Sequence, residues 1–265
     1  MARDQSLPFT ALPVFPHRRF RHSFVFVNTS KGIREPKDLI GRKIGIHSFM
    51  VTAGLWMRGI LEHEYGVPHT SVEWVAELDE DVDFTPRANL KVTRLSHSKS
   101  VETMLAEGEL DAVIHSSIIK PILARDPRVA RLWPDFKDEE IRFHNKTGIF
   151  PIMHVVGIRQ EIVEKYPFVP INMFHAFQAA KAIAMRKLNN PRIVPLAWYR
   201  EAWEEQERLL GSDPWEYGLS ERNRMTLETL AGYAFEQGLT RRKMPLDELF
   251  VSVFQGRKRG DEFRI

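Results

Sequence analysis

Residues 100–114, SVETMLAEGELDAVI, decide the fold class of this chain. The motif predicts, in this order, a helix, a glycine stop and a buried strand. Three upstream apolar runs are typical of strands, and one periodic segment is typical of a helix that Gly66 closes. These elements are the strands 24–28, 43–47 and 73–75 and the helix 52–65. The alternation of strands and helices predicts an α/β lobe around a parallel sheet.

The remainder of the chain is predicted to be mostly helical. An acidic stretch without periodicity, residues 76–89, predicts an exposed loop, and an apolar run at 149–158 predicts one more strand. Helices are predicted at 171–189, 195–210 and 220–237, with a last short helix at 246–253. Helices at the C-terminal end are expected to pack on a lobe rather than extend its sheet.

The composition restricts the class of protein. The 265 residues are 43% hydrophobic, which allows a sizeable core. The 38 basic and 35 acidic residues are interspersed, so the net charge of +3 does not indicate nucleic-acid binding. The chain has no cysteine, which excludes disulfides and cysteine-ligated zinc, and no HExxH motif that would indicate a metal site.

The chain start and the hydropathy pattern bear on location. The first twenty residues lack the apolar core of a secretion signal, and no apolar run approaches the roughly 20 residues of a membrane span. We therefore expect a cytoplasmic protein that does not enter the membrane. A periplasmic location is the alternative if an upstream signal peptide precedes this chain.

Several motifs carry a resemblance to known proteins. The order GIREPKDLIGRKIG at 32–45 and EGELDA at 107–112 resembles solute-binding proteins of the type II class, which have two α/β lobes around a ligand cleft. Four further motifs resemble the 4,5-dihydroxyphthalate decarboxylase family. They are FPHRRFRHS at 15–23, MVTA with WMRGIL at 50–61, FPIMH at 150–154 and PWEYGL at 214–219.

The resemblance extends from about Phe9 to Phe250. It implies that residues 24–149 form the second lobe, while 1–23 and 150–265 supply the rest of the first lobe and the C-terminal helices. Family members usually carry an additional N-terminal strand–helix–strand portion of the first lobe, which this chain is expected to lack. A lobe without that portion exposes sheet edge and apolar surface, so self-association into a homo-oligomer is expected.

The resemblance also implies an activity. Members of the family are carboxy-lyases that convert 4,5-dihydroxyphthalate to protocatechuate and carbon dioxide. Chemistry of this kind uses the ring hydroxyl as its source of electrons and needs no cofactor, and the residues give no support for a divalent metal. The competing interpretation is a solute-binding protein that delivers a small organic acid or a pyrimidine-like compound to an importer, since the architecture is shared.

Candidate site residues come from motif position and side-chain chemistry. Arg19 and Arg21 are candidates to clamp a carboxylate, because a guanidinium offers two parallel N–H donors, and an extended chain would place both on one face, opposite Arg18 and His22. His154 and His22 are the candidate proton donors, since histidine titrates near neutral pH. A solvated basic turn and structural histidines are the alternatives.

Other candidates are expected to line the ligand site. Ser48 and Thr52 lie where a strand gives way to a helix, a place that attracts anions, although either could simply be an N-cap. His115 follows a predicted strand, at the end where α/β sheets usually bind ligands. Ser23 follows the candidate histidine, and Trp56 lies one turn into the helix, where a core role is the alternative.

Overall fold

The computed structural model describes residues 1–95 and 99–253. The chain divides into two compact units. The first contains Met1, Arg18–Met153 and Met225–Met244. The second contains Ala2–His17, His154–Arg224 and the described residues from 245 onwards. The lobe boundaries predicted at residues 24 and 149 stay a prediction.

Strands and helices alternate in the first half of the described chain. The strands are β1 (Phe9–Arg18), β2 (Val25–Asn28), β3 (Lys43–Ile46), β4 (Glu73–Ala76), β5 (Lys91–Arg94), β6 (Ala112–Ile114), β7 (Val129–Arg131) and β8 (Ile152–Arg159). The helices are α1 (Thr52–Tyr65), α2 (Val101–Glu107), α3 (Lys120–Leu123), α4 (Phe136–Thr147), α5 (Gln160–Lys165), α6 (Phe168–Leu188), α7 (Tyr199–Leu210), α8 (Glu221–Glu236) and α9 (Leu246–Leu249). Short 3-10 turns cover His22–Phe24, Thr29–Lys31, Pro36–Leu39 and His69–Ser71.

The first unit is built on a six-stranded mixed sheet of order β5-β4-β3-β6-β2-β7. Strand β3 is parallel to β4 and β6, and β4 is parallel to β5. Strand β2 is antiparallel to both β6 and β7, with Val25 opposite Ile114. The prediction of an all-parallel lobe was therefore wrong for β2, because an apolar run marks a strand without fixing its direction. An antiparallel strand in an otherwise parallel sheet is common.

Helix α1 packs its apolar residues into the core of the first unit and has the predicted bounds. Its first residue is Thr52, and Gly66 ends it in the left-handed conformation with φ 67°. Val51 is the N-cap and makes no side-chain cap bond, so neither Ser48 nor Thr52 caps the helix. Gly59 lets a neighbouring segment approach closely, since a Cβ there would lie 2.0 Å from the Tyr233 ring.

The second unit combines a two-stranded sheet of β1 and β8 with helices. Its core joins Leu12 and Val14 of β1 to Ile158 of β8, and Phe174 of α6 and Val253 complete the cluster. The predicted strand from 149 begins at residue 152. The last helix covers only Leu246–Leu249, because Phe250 then pairs with Ala11 as a β-bridge.

Several elements were not predicted. Strand β5 reads KVTR and is mostly exposed, and β7 and α3 are only three and four residues long. Helix α4 is rich in charge, and Phe143 is its one buried residue. No helix in the described part of the chain is both long and apolar enough to cross a membrane.

Candidate functional site

One edge of the first unit's sheet gathers polar side chains. Strands β3, β4 and β6 run parallel, so their carboxyl ends lie at the same edge, where His47, Glu77 and His115 follow them. Because β2 runs in the opposite direction, its first residue lies there too, and the His115 N–H donates to the Phe24 carbonyl at 3.1 Å. The basic segment before β2 therefore arrives at the edge where ligands bind in α/β sheets.

We call His47, Glu77, His115 and Arg21 the carboxyl-edge cluster. The rings of His47 and His115 lie with their centroids 6.4 Å apart and nearly perpendicular, at 86°. His47 Nδ1 is 3.5 Å from Glu77 Oε2. The cluster thus combines two imidazoles and a carboxylate, which directly follow strand ends, with the guanidinium of Arg21, which contacts the His115 backbone carbonyl.

His115 is arranged to exchange protons. The Ser117 N–H donates to His115 Nδ1 at 3.1 Å, and the Ser117 carbonyl oxygen lies 3.0 Å from the same nitrogen. Either tautomer is therefore satisfied at Nδ1. When Nδ1 accepts, Nε2 carries the proton and can donate it; when Nδ1 donates to the carbonyl, Nε2 can accept one.

Arg21 is buried and supports the edge from below. Its side chain is 1% exposed, Nη2 donates to the His115 carbonyl at 2.5 Å, and Nη1 is 4.0 Å from Met153 Sδ. The guanidinium carbon lies 4.3 Å from the centroid of the Phe24 ring. Burial, and next the charge of Arg19, lower the pKa of Arg21 to about 10, so the group stays charged at neutral pH.

Arg19 is exposed, with its guanidinium carbon 5.2 Å from the Phe24 ring centroid. It is the cation of this segment that a dissolved acid can reach. The predicted alternation of faces was wrong, because Arg18 and Arg21 are both buried and only Arg19 is exposed among the three. The chain turns into a 3-10 helix at His22 instead of continuing as a strand, which removes the period of two.

Ser23 ties the segment to α4. Its N–H and its hydroxyl both donate to Glu140 Oε1, at 3.0 and 2.9 Å, and its carbonyl accepts from Arg131 Nε at 3.1 Å. Burial raises the pKa of Glu140, while the two bonds from Ser23 oppose the rise. The predicted ligand-binding hydroxyl is therefore engaged within the protein.

His22 lies in an aromatic enclosure. Its ring is 0% exposed, with centroids 5.0 Å from Trp133, 5.4 Å from Phe143 and 5.9 Å from Tyr65. Within residues 1–95 and 99–253, neither ring nitrogen finds a hydrogen-bond partner. Burial lowers the pKa of His22 to about 4, so the imidazole is neutral at neutral pH. Its predicted role as a proton donor stays a prediction, for which this conformation offers neither access nor the charged state.

The loop before α1 binds the carboxylate of Glu80, an arrangement that we call the Glu80 clamp. The N–H groups of Phe49 and Met50 donate to the two carboxylate oxygens of Glu80, at 2.6 and 2.9 Å. Ser48, next to His47, and Thr52, the first residue of α1, are both half-buried beside this clamp. The sequence predicted that this loop attracts anions, and in the structure the anion bound there is the carboxylate of Glu80.

Trp56 belongs to the core. Its side chain is fully buried, and Nε1 donates to the Ile152 carbonyl at 2.8 Å. The ring lies edge-on to Tyr233, 5.8 Å between centroids. The indole thus has its apolar and polar partners inside the first unit. Its predicted role in lining the ligand site stays a prediction.

His154 lies in the second unit, on β8, and is exposed. The ring of His17, on β1, is 4.8 Å away between centroids and inclined by 61°. Sequence reasoning missed His17, although it lies inside the FPHRRFRHS motif, and missed His47, although it is the last residue of a predicted strand. The signal that selected His115, position at a strand's carboxyl end, applies equally to His47.

A metal centre finds no support in the part of the chain that the structure describes. Among residues 1–95 and 99–253, no three histidine, aspartate or glutamate side chains are grouped to hold an ion.

Comparison with solved structures defines the class of fold. A periplasmic sulfonate-binding protein of Methylobacillus flagellatus KT superposes with a TM-score of 0.54 at 16% identity, covering 94% of this chain and 68% of its own. The aliphatic sulphonate-binding protein of Escherichia coli gives 0.51 at 15% identity, covering 100% and 76%. The chain therefore has the two-lobed α/β fold of type II periplasmic binding proteins. The predicted small-molecule ligand and the predicted self-association stay predictions.

Comparison with curated proteins identifies the family. No family model matches the chain. The 4,5-dihydroxyphthalate decarboxylase of Comamonas testosteroni is 32% identical over 251 residues, which are 92% of this chain and 76% of that protein. The enzyme of the same name from Pseudomonas putida is 34% identical over 134 residues, 48% of this chain and 52% of its own. This chain belongs to the 4,5-dihydroxyphthalate decarboxylase family, and it is a carboxy-lyase, as its motifs predicted.

Proposed function

We propose that this chain decarboxylates a hydroxylated aromatic acid, with 4,5-dihydroxyphthalate as the substrate and protocatechuate and carbon dioxide as the products. The observation that carries the proposal is the 32% identity to the Comamonas testosteroni enzyme over 92% of the chain. The exposed Arg19 and the histidines of the carboxyl-edge cluster supply the residue types that such chemistry uses.

The proposed reaction replaces one carboxylate by a proton. An acid protonates the ring carbon that bears the leaving carboxylate, and the hydroxyl para to that carbon donates electrons to the ring. The bond to the carboxylate carbon then breaks, carbon dioxide leaves, and the bonding pair returns to the ring and restores aromaticity. The protein has to orient a dianion and deliver one proton, so the proposal invokes no cofactor.

Each residue has a defined part in the proposal. Arg19 binds a carboxylate of the substrate through its guanidinium. Arg21 does not touch substrate; it fixes the His115 carbonyl and so positions that histidine. His115 donates the proton from Nε2, which its contact with Ser117 allows. His154, the donor predicted from sequence, is tested by the same assay because its ring is exposed.

A solute-binding protein is the second candidate function. The observation that favours it is the fold itself, which two sulfonate-binding proteins share. Such a protein would bind the acid without turning it over. The decarboxylase proposal includes a cytoplasmic location, because an enzyme of catabolism meets its substrate inside the cell. A solute-binding protein would instead meet its ligand in the periplasm.

Turnover and binding measured on the same protein separate these functions. The purified chain is incubated with 4,5-dihydroxyphthalate, with carbon dioxide and protocatechuate quantified, and binding is measured by calorimetry. Binding without either product would replace the enzyme by the binding protein. Treatment with a chelator is expected to leave the rate unchanged, and restoration by an added divalent metal would overturn the proposal that no metal assists.

Matched variants assign the residues. His115→Gln is expected to retain binding and lose on the order of 10²–10⁴-fold in turnover, the usual contribution of a general acid. Arg19→Lys keeps the charge but loses the fork, so binding should weaken by about 1–3 kcal/mol. His154→Gln is the parallel test of the sequence-based donor, and His175→Gln, an exposed histidine on α6, is the control. Full activity in both the His115 and His154 variants would refute these two histidines as the donor.

A further inference from the structure

The second unit contains a hollow that the proposed reaction does not use. It has a volume of about 550 Å³ and lies among α6, α7, β1 and the loop that follows α7. Its walls include Ala180 and Ala184 of α6, Ala202 and Trp203 of α7, and Trp215 and Tyr217 of the loop. The volume falls in the range of about 300–1,000 Å³ that is typical of small-molecule sites.

Small side chains create the space and flat ones bound it. Ala180 and Ala184 are one helical turn apart, so they face the hollow together, and Ala202 faces it from α7. The lining also includes the indoles of Trp203 and Trp215 and the phenol of Tyr217. Rings of this kind attract another aromatic ring beyond what the burial of apolar area alone contributes, when the two stack with an offset or meet edge to face.

Among the described residues that line the hollow, Lys181 is the one cation, and it is paired with a carboxylate. Lys181 is 14% exposed, and Nζ donates to Asp213 Oδ2 at 2.5 Å and to the Trp215 carbonyl at 3.2 Å. The ammonium also lies 4.8 Å from the Tyr217 ring centroid. A ligand carboxylate would compete with Asp213 for this lysine and therefore gains little. Gln206 is a neutral polar residue of the wall, with an amide that can both donate and accept.

Hydrogen bonds within the second unit join the elements that form the walls. The Gly218 N–H donates to the Pro13 carbonyl of β1 at 2.7 Å, which fixes the loop. The Tyr199 hydroxyl donates to the Leu188 carbonyl at 2.9 Å, which joins the start of α7 to the end of α6. Arg222 donates to the Asp213 carbonyl at 2.9 Å. The hollow is therefore preformed, as small-molecule sites usually are.

We propose that this hollow binds a neutral aromatic molecule of one or two rings that carries a hydroxyl group. The rings of such a molecule stack against Trp203, Trp215 and Tyr217, and its hydroxyl bonds to the amide of Gln206. The PWEYGL motif at 214–219, which the decarboxylation chemistry leaves without a part, supplies the loop wall of this site. The ligand class differs from the dianion of the proposed decarboxylation because Lys181, the one lysine among the described residues that line the hollow, is paired with Asp213.

The test uses 2-naphthol as ligand and equilibrium dialysis as the measurement on the full chain. Saturable binding to one site is expected, and 2-naphthoate, the anion of similar shape, should bind at least 10-fold more weakly. Ala184→Phe fills the hollow and should weaken 2-naphthol binding at least 10-fold, while decarboxylation stays within twofold of wild type. Ala179→Phe is the matched control, since Ala179 is exposed on the same helix and does not line the hollow.

A second variant keeps the test independent of how Ala184→Phe folds. Gln206→Leu should weaken 2-naphthol at least 5-fold and leave naphthalene binding unchanged, because only the hydroxyl loses its partner. Absence of saturable 2-naphthol binding, equal binding in the Ala184 and Ala179 variants, or tighter binding of 2-naphthoate each overturns the proposal. Sedimentation decides the remaining case: a dimer lost in Ala184→Phe, without saturable binding, makes the surface a contact between copies instead.

Discussion

Replacement of His22 by phenylalanine separates a structural histidine from a catalytic one. The ring is enclosed by aromatic side chains and its nitrogens lack hydrogen-bond partners in the described residues. Phenylalanine keeps the ring shape and removes two buried polar atoms that gain nothing from burial. At pH 7 we therefore expect the free energy of unfolding of His22→Phe to equal that of wild type within about 1 kcal/mol, or to be slightly higher.

Acidification should separate the two proteins. The pKa of His22 falls from 6.5 to about 4 on folding, chiefly through burial, with Glu139 and Arg142 acting in opposite directions. Between these two pH values the unfolded chain binds a proton at His22 that the folded chain does not bind. The free energy of unfolding therefore falls as the pH drops from 6.5 to 4, and this contribution levels off below pH 4. At 1.36 kcal/mol per unit of pKa, the loss is about 3 kcal/mol. His22→Phe lacks this loss.

Urea unfolding at pH 7, 5.5 and 4, followed by tryptophan fluorescence, measures the effect. The difference between the two proteins isolates His22, because the carboxylates titrate in both. His175→Phe, at an exposed position on α6, is the control and should track wild type. Parallel pH profiles for wild type and His22→Phe would refute the reasoning. A folded His22→Phe that loses turnover by 10²-fold would instead support the proton-donor role predicted from sequence.

Two further variants test how the carboxyl edge is built. Arg21→Lys should lower the unfolding free energy by about 1–3 kcal/mol, because an ammonium cannot both reach the His115 carbonyl and cover the Phe24 ring; an unchanged urea midpoint would contradict this. Glu80→Gln leaves one acceptor oxygen for two N–H groups, so stability should fall by about 1–2 kcal/mol and the amides of Phe49 and Met50 should exchange faster. Glu73→Gln, which breaks only an exposed pair, is the control, and equal losses in both variants would count against the clamp.

Elements with a local stop signal were predicted well. Helix α1 has the predicted bounds because its apolar stripe is long and Gly66 ends it, and α2 ends at the predicted stop, Gly108. The structure adds a cap at the start of α2, where the Ser100 hydroxyl accepts from the Thr103 N–H. Strand β5 was missed, since KVTR at an exposed sheet edge shows no apolar alternation. The local sequence pattern is thus sufficient to predict an element where the chain buries an apolar stripe and a glycine marks its end.

The candidate site was predicted in part, for a different reason. His115 was found from its position after a strand, and the same rule identifies His47. The burial of Arg21 and His22 could not be read from sequence, because a run of basic residues usually indicates a solvated surface. Their partners, the Phe24 ring, the His115 carbonyl and Trp133, are close only in the folded chain.

The direction of one strand decides what reaches the carboxyl edge. Strand β2 is antiparallel to β6, so the segment before it, with Arg19 and Arg21, meets the end of β6 at His115. A parallel β2 would carry the same segment to the opposite edge of the sheet, away from the strand ends that follow β3 and β6. The antiparallel direction of β2 brings the basic segment close to His115. It requires no change in the apolar pattern of residues 25–28. A family relationship therefore has to be combined with topology before a basic motif can be assigned to a ligand.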